Sequence, residues 1–227
     1  MKNYTLTMED GVITWIEHTD GQGKTLEGIL HIPKEAVAFH PDAWMFLGCG
    51  ADGIVVEEEN PVFSSAHNCL LSKDGKTLIK VCKNSDISKL TGLETIGRDA
   101  FSDLNEERDE FVFRIPDGVT TLEYRALAMC ARSVKIVVPP SVREIHALAF
   151  MIYSDDTQII FEGDAELEIG IFGTESEAKD SDHAFYRSMP SVVYPKKEHF
   201  HVSCPAGTNI AHYCDEYGIP SETRESC

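Results

Sequence analysis

The chain has 227 residues, of which 42% are hydrophobic and 26% are charged. Its 38 acidic residues outnumber its 20 basic residues and give a net charge of −18 at pH 7. Because phosphate groups must be met by a basic face, this balance argues against nucleic acid and anionic membranes as partners. The simplest interpretation is a self-repelling, solvated surface, and the alternative is an acidic face for a basic partner or for cations.

The first predicted element is a β-hairpin over residues 4–16. The runs Tyr4–Met8 and Val12–Ile16 are joined by the turn pair Asp10-Gly11. We expect this hairpin to form an N-terminal cap within residues 1–26. The following stretch Gly21–Thr25 has part of a phosphate-loop pattern, but His18 stands where that motif needs its first glycine, so we interpret it as a polar turn.

Further along the chain, an apolar pattern recurs at fixed offsets. From Pro116, apolar residues fall at +3, +6, +10 and +11, and the same offsets from Pro139 are again apolar. Pro33 and Leu90 start two earlier copies, so the four copies begin at positions 33, 90, 116 and 139, and the steps between them are 57, 26 and 23. Self-similarity at a fixed period predicts a stacked repeat protein.

Each copy is expected to supply short strands and a tight turn. The β-branched run Val134–Val138 predicts a strand that Pro139 ends. The alanine at +10 and the large residue at +11 fit a turn whose side chains fill the interior. One copy cannot bury its apolar face alone, so several must stack.

The irregular steps predict insertions. Within the step of 57, a hairpin near residues 60–82 is expected, with Cys69–Leu71 facing Thr77–Val81 across Asp74-Gly75. The three extra residues of the step of 26 are placed in the acidic run over 105–110, and a second acidic run is Glu57–Glu59.

A fifth copy is expected to be broken. The run Ile159–Phe161 follows Ile136–Val138 at the same step of 23, but Glu168 occupies the +6 position and only Ala165 keeps its place. The pair at 184–185 is interpreted as a displaced remnant.

The last predicted element is a helix over residues 208–217. Thr208 can cap its start and Gly218 can end it. The 3–4 spacing predicts one buried face, made of Ile210, Tyr213, Cys214 and Tyr217. We expect residues 206–227 to form a helical C-terminal cap.

The blocks Ile115–Val119 with Ala126–Cys130, and Val138–Val142 with Ala149-Phe150, resemble BspA-type leucine-rich repeats, which repeat I-P-x-x-V-x-x-I-x-x-x-A-F-x-x-C. The segment from Asn60 to Leu78 is similar to that family's hairpin insertion, and Gly207–Cys214 to its terminal helix. The resemblance covers roughly residues 10–220. It implies an α/β fold leaning mostly to β: a solenoid of about 4–6 coils with short parallel strands, a hairpin cap and a C-terminal helix. Residues 1–227 would form a single domain, with the repeats over 27–205.

The resemblance implies a non-catalytic binding module for protein–protein interaction or adhesion, with an unknown protein or surface ligand as partner. Solvent-facing positions of the repeat strands, such as Lys135 and Arg114, and the neighbouring loops are expected to carry the contact. A structural spacer of a surface protein is the first alternative, and a metal-binding protein is the second.

The sequence offers two candidates for chemistry besides binding. One is a set of zinc-compatible residues whose spacing fits no closed structural site, namely His199, His201, Cys204, His212 and Cys214. The other is the thiol of Cys69, which follows His67 and Asn68. We interpret both as ordinary structural residues and assign no catalytic, cofactor-binding or metal-binding residue.

The N-terminus lacks the apolar stretch of a signal peptide, and no segment is long enough to span a membrane. The chain as given is therefore expected in the cytoplasm, with a secreted or surface location as the alternative if a leader has been removed. The seven cysteines are odd in number and show no C-x-x-C pair. We expect Cys130 to be a small buried residue and Cys227 to be exposed and free.

Overall fold

The computed structural model describes residues 4–18, 28–47, 51–102, 110–179 and 194–225. The chain divides into two compact units, residues 1–93 and 94–227. Both are built mostly of β-strands, with parallel pairing in each, which confirms the predicted leaning to β. The organisation as a single domain stays a prediction.

The first unit begins with the predicted hairpin. β1 (Tyr4–Glu9) and β2 (Val12–His18) pair in antiparallel fashion. Asp10 and Gly11 between them both have positive φ, as a tight hairpin turn requires. Ile13 and Ile16 of β2 are buried in the core of this unit, so the hairpin is held by its apolar side chains.

The copy starting at Pro33 lies next in the first unit. β3 (Ile29–Ile32) pairs in parallel with β5 (Gly53–Val56), and β4 (Ala38–Phe39) pairs in parallel with β2. Ala43 and Trp44, at offsets +10 and +11 of this copy, lie in the helix α1 (Pro41–Phe46).

The inserted segment is an antiparallel meander of three strands, β6 (Phe63–Ala66), β7 (Cys69–Ser72) and β8 (Thr77–Lys80). The hairpin of β7 and β8 was predicted, whereas β6 was not, because Phe63 is its only large apolar residue.

Asn60 lies just before the meander and is fully buried. Its side-chain amide donates to Pro33 O at 2.9 Å and to Ala36 O at 2.8 Å, and its carbonyl oxygen accepts from the backbone N–H groups of Val62 and Phe63. One polar side chain therefore connects the first repeat copy with the insertion.

The described residues of the second unit contain three sets of parallel strands. The largest has the order β10 (Glu110–Arg114), β13 (Ser133–Val138), β16 (Asp156–Phe161), β18 (Phe200–Pro205) and β19 (Ser221–Arg224). Very short strands form the second set, in the order β17 (Glu166–Leu167), β14 (Glu144–Ile145), β11 (Thr121–Leu122) and β9 (Thr95–Ile96). The third pairs β12 (Met129–Cys130) with β15 (Ile152–Tyr153).

The repeat steps read from the sequence appear as strand registers. Ile136 of β13 lies opposite Ile159 of β16, which is the step of 23. Ile96 of β9 lies opposite Leu122 of β11, which is the step of 26. Residues at equal offsets in successive copies are thus paired neighbours.

The fifth copy is present, and the prediction that it is broken was wrong. Leu167 pairs with Ile145, and the backbone N–H of Phe150 donates to Ile171 O. The step from Ile145 to Leu167 is one shorter than the regular step, so a residue is missing before the strand and Glu168 does not occupy the +6 position. Ile171 and Phe172, both fully buried, take the places at +10 and +11.

A left-handed residue precedes the buried pair in each of these copies. The residue at offset +9 has a φ between 54° and 89°, and the four of them are Asp99, Arg125, Leu148 and Gly170. The alanines that follow, Ala100, Ala126 and Ala149, donate their N–H groups to the carbonyl oxygens three residues earlier. This conformation makes the tight turn that sends the side chain at +11 inward.

Aromatic side chains fill the interior of the second unit. The ring of Phe150 lies 5.8 Å from that of Phe161 and 5.9 Å from that of Phe172. Phe172 also contacts Phe200 and Tyr213. Two α-helices lie in the described part of this unit, α2 (Glu175–Ala178) and α3 (Asn209–Tyr217). Tyr213 lies in α3, whose predicted cap Thr208, terminating Gly218 and buried face are all confirmed.

Candidate binding surface

The five-stranded sheet has one buried face and one outer face. In β13, Val134, Ile136 and Val138 are buried, whereas the residues between them are partly exposed. Because paired residues of parallel strands point to the same side of a sheet, two rows of side chains cross the outer face. The first row is Val112, Lys135, Gln158 and His201, and the second is Arg114, Val137, Ile160 and Ser203.

The first row presents an apolar side chain beside a cationic one. Val112 is 62% exposed, the largest exposure among the exposed large hydrophobic residues of the described chain. Lys135, in the next strand, forms no ion pair with any described residue. Both groups are therefore available to a partner.

Arg114, the other residue predicted to face a partner, is already engaged. Its guanidinium donates to both carboxylate oxygens of Glu162 at 2.9 Å and to Oδ1 of Asp117 at 3.1 Å. This contact lowers the pKa of Glu162. Arg114 is on the predicted face, but a partner would meet an ion-pair network there.

A groove lies on the outer face where β16, β18 and β19 meet. Its volume is about 410 Å³, and its lining includes Gln158, Ile160, His201, Ser203 and Glu222. The imidazole Nε2 of His201 is 3.8 Å from a carboxylate oxygen of Asp156. The sequence predicted that this face is exposed, but it gave no signal for the groove, which depends on β19.

The turn residues at +7 to +9 form a separate polar ladder. The carboxylate of Glu123 accepts the N–H of Arg98 at 2.8 Å, and that of Glu168 accepts the N–H of Ala147 at 2.8 Å. Each carboxylate thus binds the backbone of the preceding copy. The Arg98 guanidinium also lies 4.5 Å from the centre of the Tyr124 ring. These side chains hold successive copies together, so we assign them a structural role.

A buried carboxylate ties the C-terminal helix to the fifth copy. Glu177 of α2 is fully buried, and its oxygens accept from Phe172 N, Thr174 N and Oγ1, and the Tyr213 hydroxyl. Burial raises the pKa of Glu177. The Tyr213 hydroxyl in turn accepts the N–H of Gly170 at 2.7 Å. Each polar group named here has a hydrogen-bond partner within the set, which indicates a structural network.

The zinc-compatible residues do not form one common cluster in the described structure. Cys204 and Cys214 are buried, His201 and His212 are exposed, and Nδ1 of His199 is bonded to Ser154 O. Burial raises the pKa of the Cys214 thiol to about 12. In the described part of the chain, no group of three or more His, Cys, Asp or Glu side chains is arranged to hold a metal ion.

Two of the cysteines considered in the sequence, Cys69 and Cys130, differ in burial. Cys69 is fully buried, and burial raises the pKa of its thiol, which disfavours a nucleophilic thiolate. Cys130 is exposed, so the prediction that it is buried was wrong. It follows Met129 in a strand of alternating burial, and the alternation turns its side chain outward.

Several predicted features lie outside the described residues. They are the turn at 21–25, the acidic run up to residue 109, the pair at 184–185 and Cys227. Within the other acidic run, Glu57 accepts the backbone N–H of Lys34 and Glu59 pairs with its ammonium at 3.1 Å. Two of the three glutamates of that run therefore bind Lys34, a residue of the first unit. No helix in the described ranges is long and apolar enough to cross a membrane.

Comparison with known proteins leaves the family open. No protein-family model and no curated protein matches the chain. Among solved structures, the pneumococcal vaccine antigen PcpA is similar with 14% sequence identity and a TM-score of 0.34. The match covers 88% of this chain and 55% of that one, so the chain spans about half the length of PcpA. A likeness this weak carries no argument, and the leucine-rich-repeat resemblance stays a prediction.

Proposed function

We propose that the chain is a non-catalytic binding module whose contact surface is the outer face of the five-stranded sheet. The observation that supports this most is the in-register row from Val112 to His201, which offers one outward side chain from each of four parallel strands. A regular row of this kind suits a partner that lies across the strands. The proposed partner is a protein or another surface ligand.

The repeat organisation supports the proposed module. Copies starting at Leu90, Pro116, Pro139 and the shortened fifth copy pair through very short strands in one sheet. We interpret them as successive coils of a BspA-type leucine-rich-repeat solenoid of about 4–6 coils. A solenoid exposes an extended surface that partners can use.

A charge reversal on the outer face tests the proposal. Lys135→Glu places a carboxylate in the centre of the first row without disturbing an ion pair among the described residues. We expect this variant to capture about tenfold less of the partner from extracts, because residues at the centre of an interface carry most of the binding energy. The measurement is quantitative mass spectrometry of material retained by immobilised protein.

Lys196→Glu is the matched control, because Lys196 is exposed and lies in the segment preceding β18. It carries the same change of charge but should leave capture unchanged. Equal capture by the wild type and both variants would contradict the proposed surface. A failure of the wild type to enrich any macromolecule would instead favour a structural spacer.

A further inference from the structure

The groove over β16, β18 and β19 has the dimensions of a small-ligand site. Its volume of about 410 Å³ lies within the range of pockets that hold small molecules. Ile160, Val202 and Pro220 are the apolar residues of its lining, and the other lining residues are polar or charged. A ligand here would need both apolar and hydrogen-bonding surface.

The groove is lined by one acidic and one basic side chain. Glu222 and Arg224 both belong to β19 and line the groove together. One donor of the Arg224 guanidinium is taken by Phe161 O, at 2.6 Å. The groove therefore has no excess of positive charge, and the whole chain carries a net charge of −18. For both reasons the groove is not suited to an anion.

The remaining polar groups include both donors and acceptors. The side chains of Gln158, Ser203 and Glu222 form no hydrogen bond or ion pair with other described residues. An amide and a hydroxyl each donate and accept, and a carboxylate only accepts. A ligand with several hydroxyl groups, each of which both donates and accepts, fits such a set.

We propose that this groove binds a neutral saccharide unit. Its hydroxyl groups would bond to Gln158, Ser203 and Glu222, and its C–H face would lie on Ile160 and Pro220. The inference rests on the proposed binding role of the outer face and adds the ligand class. The adhesion partner would then be a glycan or a glycosylated protein.

The test is an NMR titration of the isotope-labelled full chain with glucose, galactose, mannose, N-acetylglucosamine and their disaccharides. We expect at least one of them to shift the backbone amides of Gln158, Ile160, Ser203 and Glu222. Glucuronic acid and an acidic peptide serve as anionic probes. If no neutral saccharide shifts these amides, or if only the anionic probes do, the proposal is overturned.

Variants then tie the binding to the groove. Gln158→Ala combined with Ser203→Ala removes two hydrogen-bonding groups and should weaken binding about tenfold. Glu222→Ala should also weaken saccharide binding. Because Glu222 is an exposed residue of β19, we expect this variant to fold normally. Ser133→Ala removes a hydroxyl from β13 outside the groove and should leave binding unchanged.

The outcomes separate the two proposals. Unchanged saccharide binding in both groove variants would overturn the groove assignment. If no saccharide binds but Lys135→Glu still reduces capture of a partner, the ligand class is wrong and the binding role of the face stands. If neither variant type affects any binding, both proposals fail.

Discussion

Arg114 and Glu162 form a bidentate contact on the outer face, with side chains 47% and 36% exposed. Exposed ion pairs of this kind contribute about 1 kcal/mol or less, because water and salt screen them. The contact orders the second row of the outer face more than it stabilises the fold. It also joins residues 48 positions apart in the sequence, and no local pattern could have revealed the pair.

The lowered pKa of Glu162 predicts a pH dependence. Because the folded-state pKa lies below the unfolded one, the stabilisation is complete above the unfolded pKa of about 4.3 and is lost as the pH falls through the folded pKa. Glu162→Gln should therefore reduce the free energy of unfolding by about 1 kcal/mol or less at pH 7. Urea unfolding at several pH values measures this.

That difference between the wild type and Glu162→Gln should disappear at acidic pH. Glu144→Gln is the control, since Glu144 is exposed and its side chain forms no hydrogen bond or ion pair with other described residues. A difference for Glu162→Gln that grew as the pH fell would contradict the assigned direction of the pKa shift.

Single residues also show what a local sequence pattern does not reveal. The buried helix face with Tyr213 was predicted correctly from the spacing of apolar residues. Its hydroxyl contact with Glu177, 36 positions away, was not. The sequence pattern identifies buried positions, but it does not identify which distant polar group meets them.

Among the structural elements, the repeat copies are defined by the buried pair at offsets +10 and +11. Phe150 is the clearest case, because it is fully buried and contacts both Phe161 and Phe172. Its ring therefore joins its own copy to the next one.

Phe150→Ala should reduce the free energy of unfolding by about 3–5 kcal/mol, through lost burial and the cavity left behind. Chemical denaturation followed by circular dichroism measures the change. Val112→Ala is the control, since Val112 is 62% exposed and should cost much less. A near-neutral effect of Phe150→Ala would contradict the assigned register.

The copies also explain which elements the sequence revealed. The copies that start at Pro116 and Pro139 have the same internal offsets. Their buried pairs, at 126–127 and 149–150, were therefore predicted correctly. In the fifth copy one residue is missing, which moves Leu167, Ile171 and Phe172 off the template although they keep their structural roles. A fixed template cannot follow such a deletion, whereas strand pairing can.

For the whole molecule, the decisive feature is the outer face of the five-stranded sheet. The sequence predicted that Lys135 and Arg114 face solvent, and the structure places them in adjacent rows. The groove was not foreseen, because β19 pairs with β18 only after the chain has passed through α3. Surface shape of this kind arises from tertiary assembly rather than from local sequence.

Site-specific photo-crosslinking tests the binding surface most directly. A photoreactive amino acid is placed at Val112, on the outer face. The control position is Ile169, which is 45% exposed and lies among the turn residues of the polar ladder in the same unit. We predict that irradiation in extract yields a defined covalent adduct from position 112 and none from position 169. Adducts from position 169 alone, or identical adducts from both positions, would contradict the outer face as the binding surface.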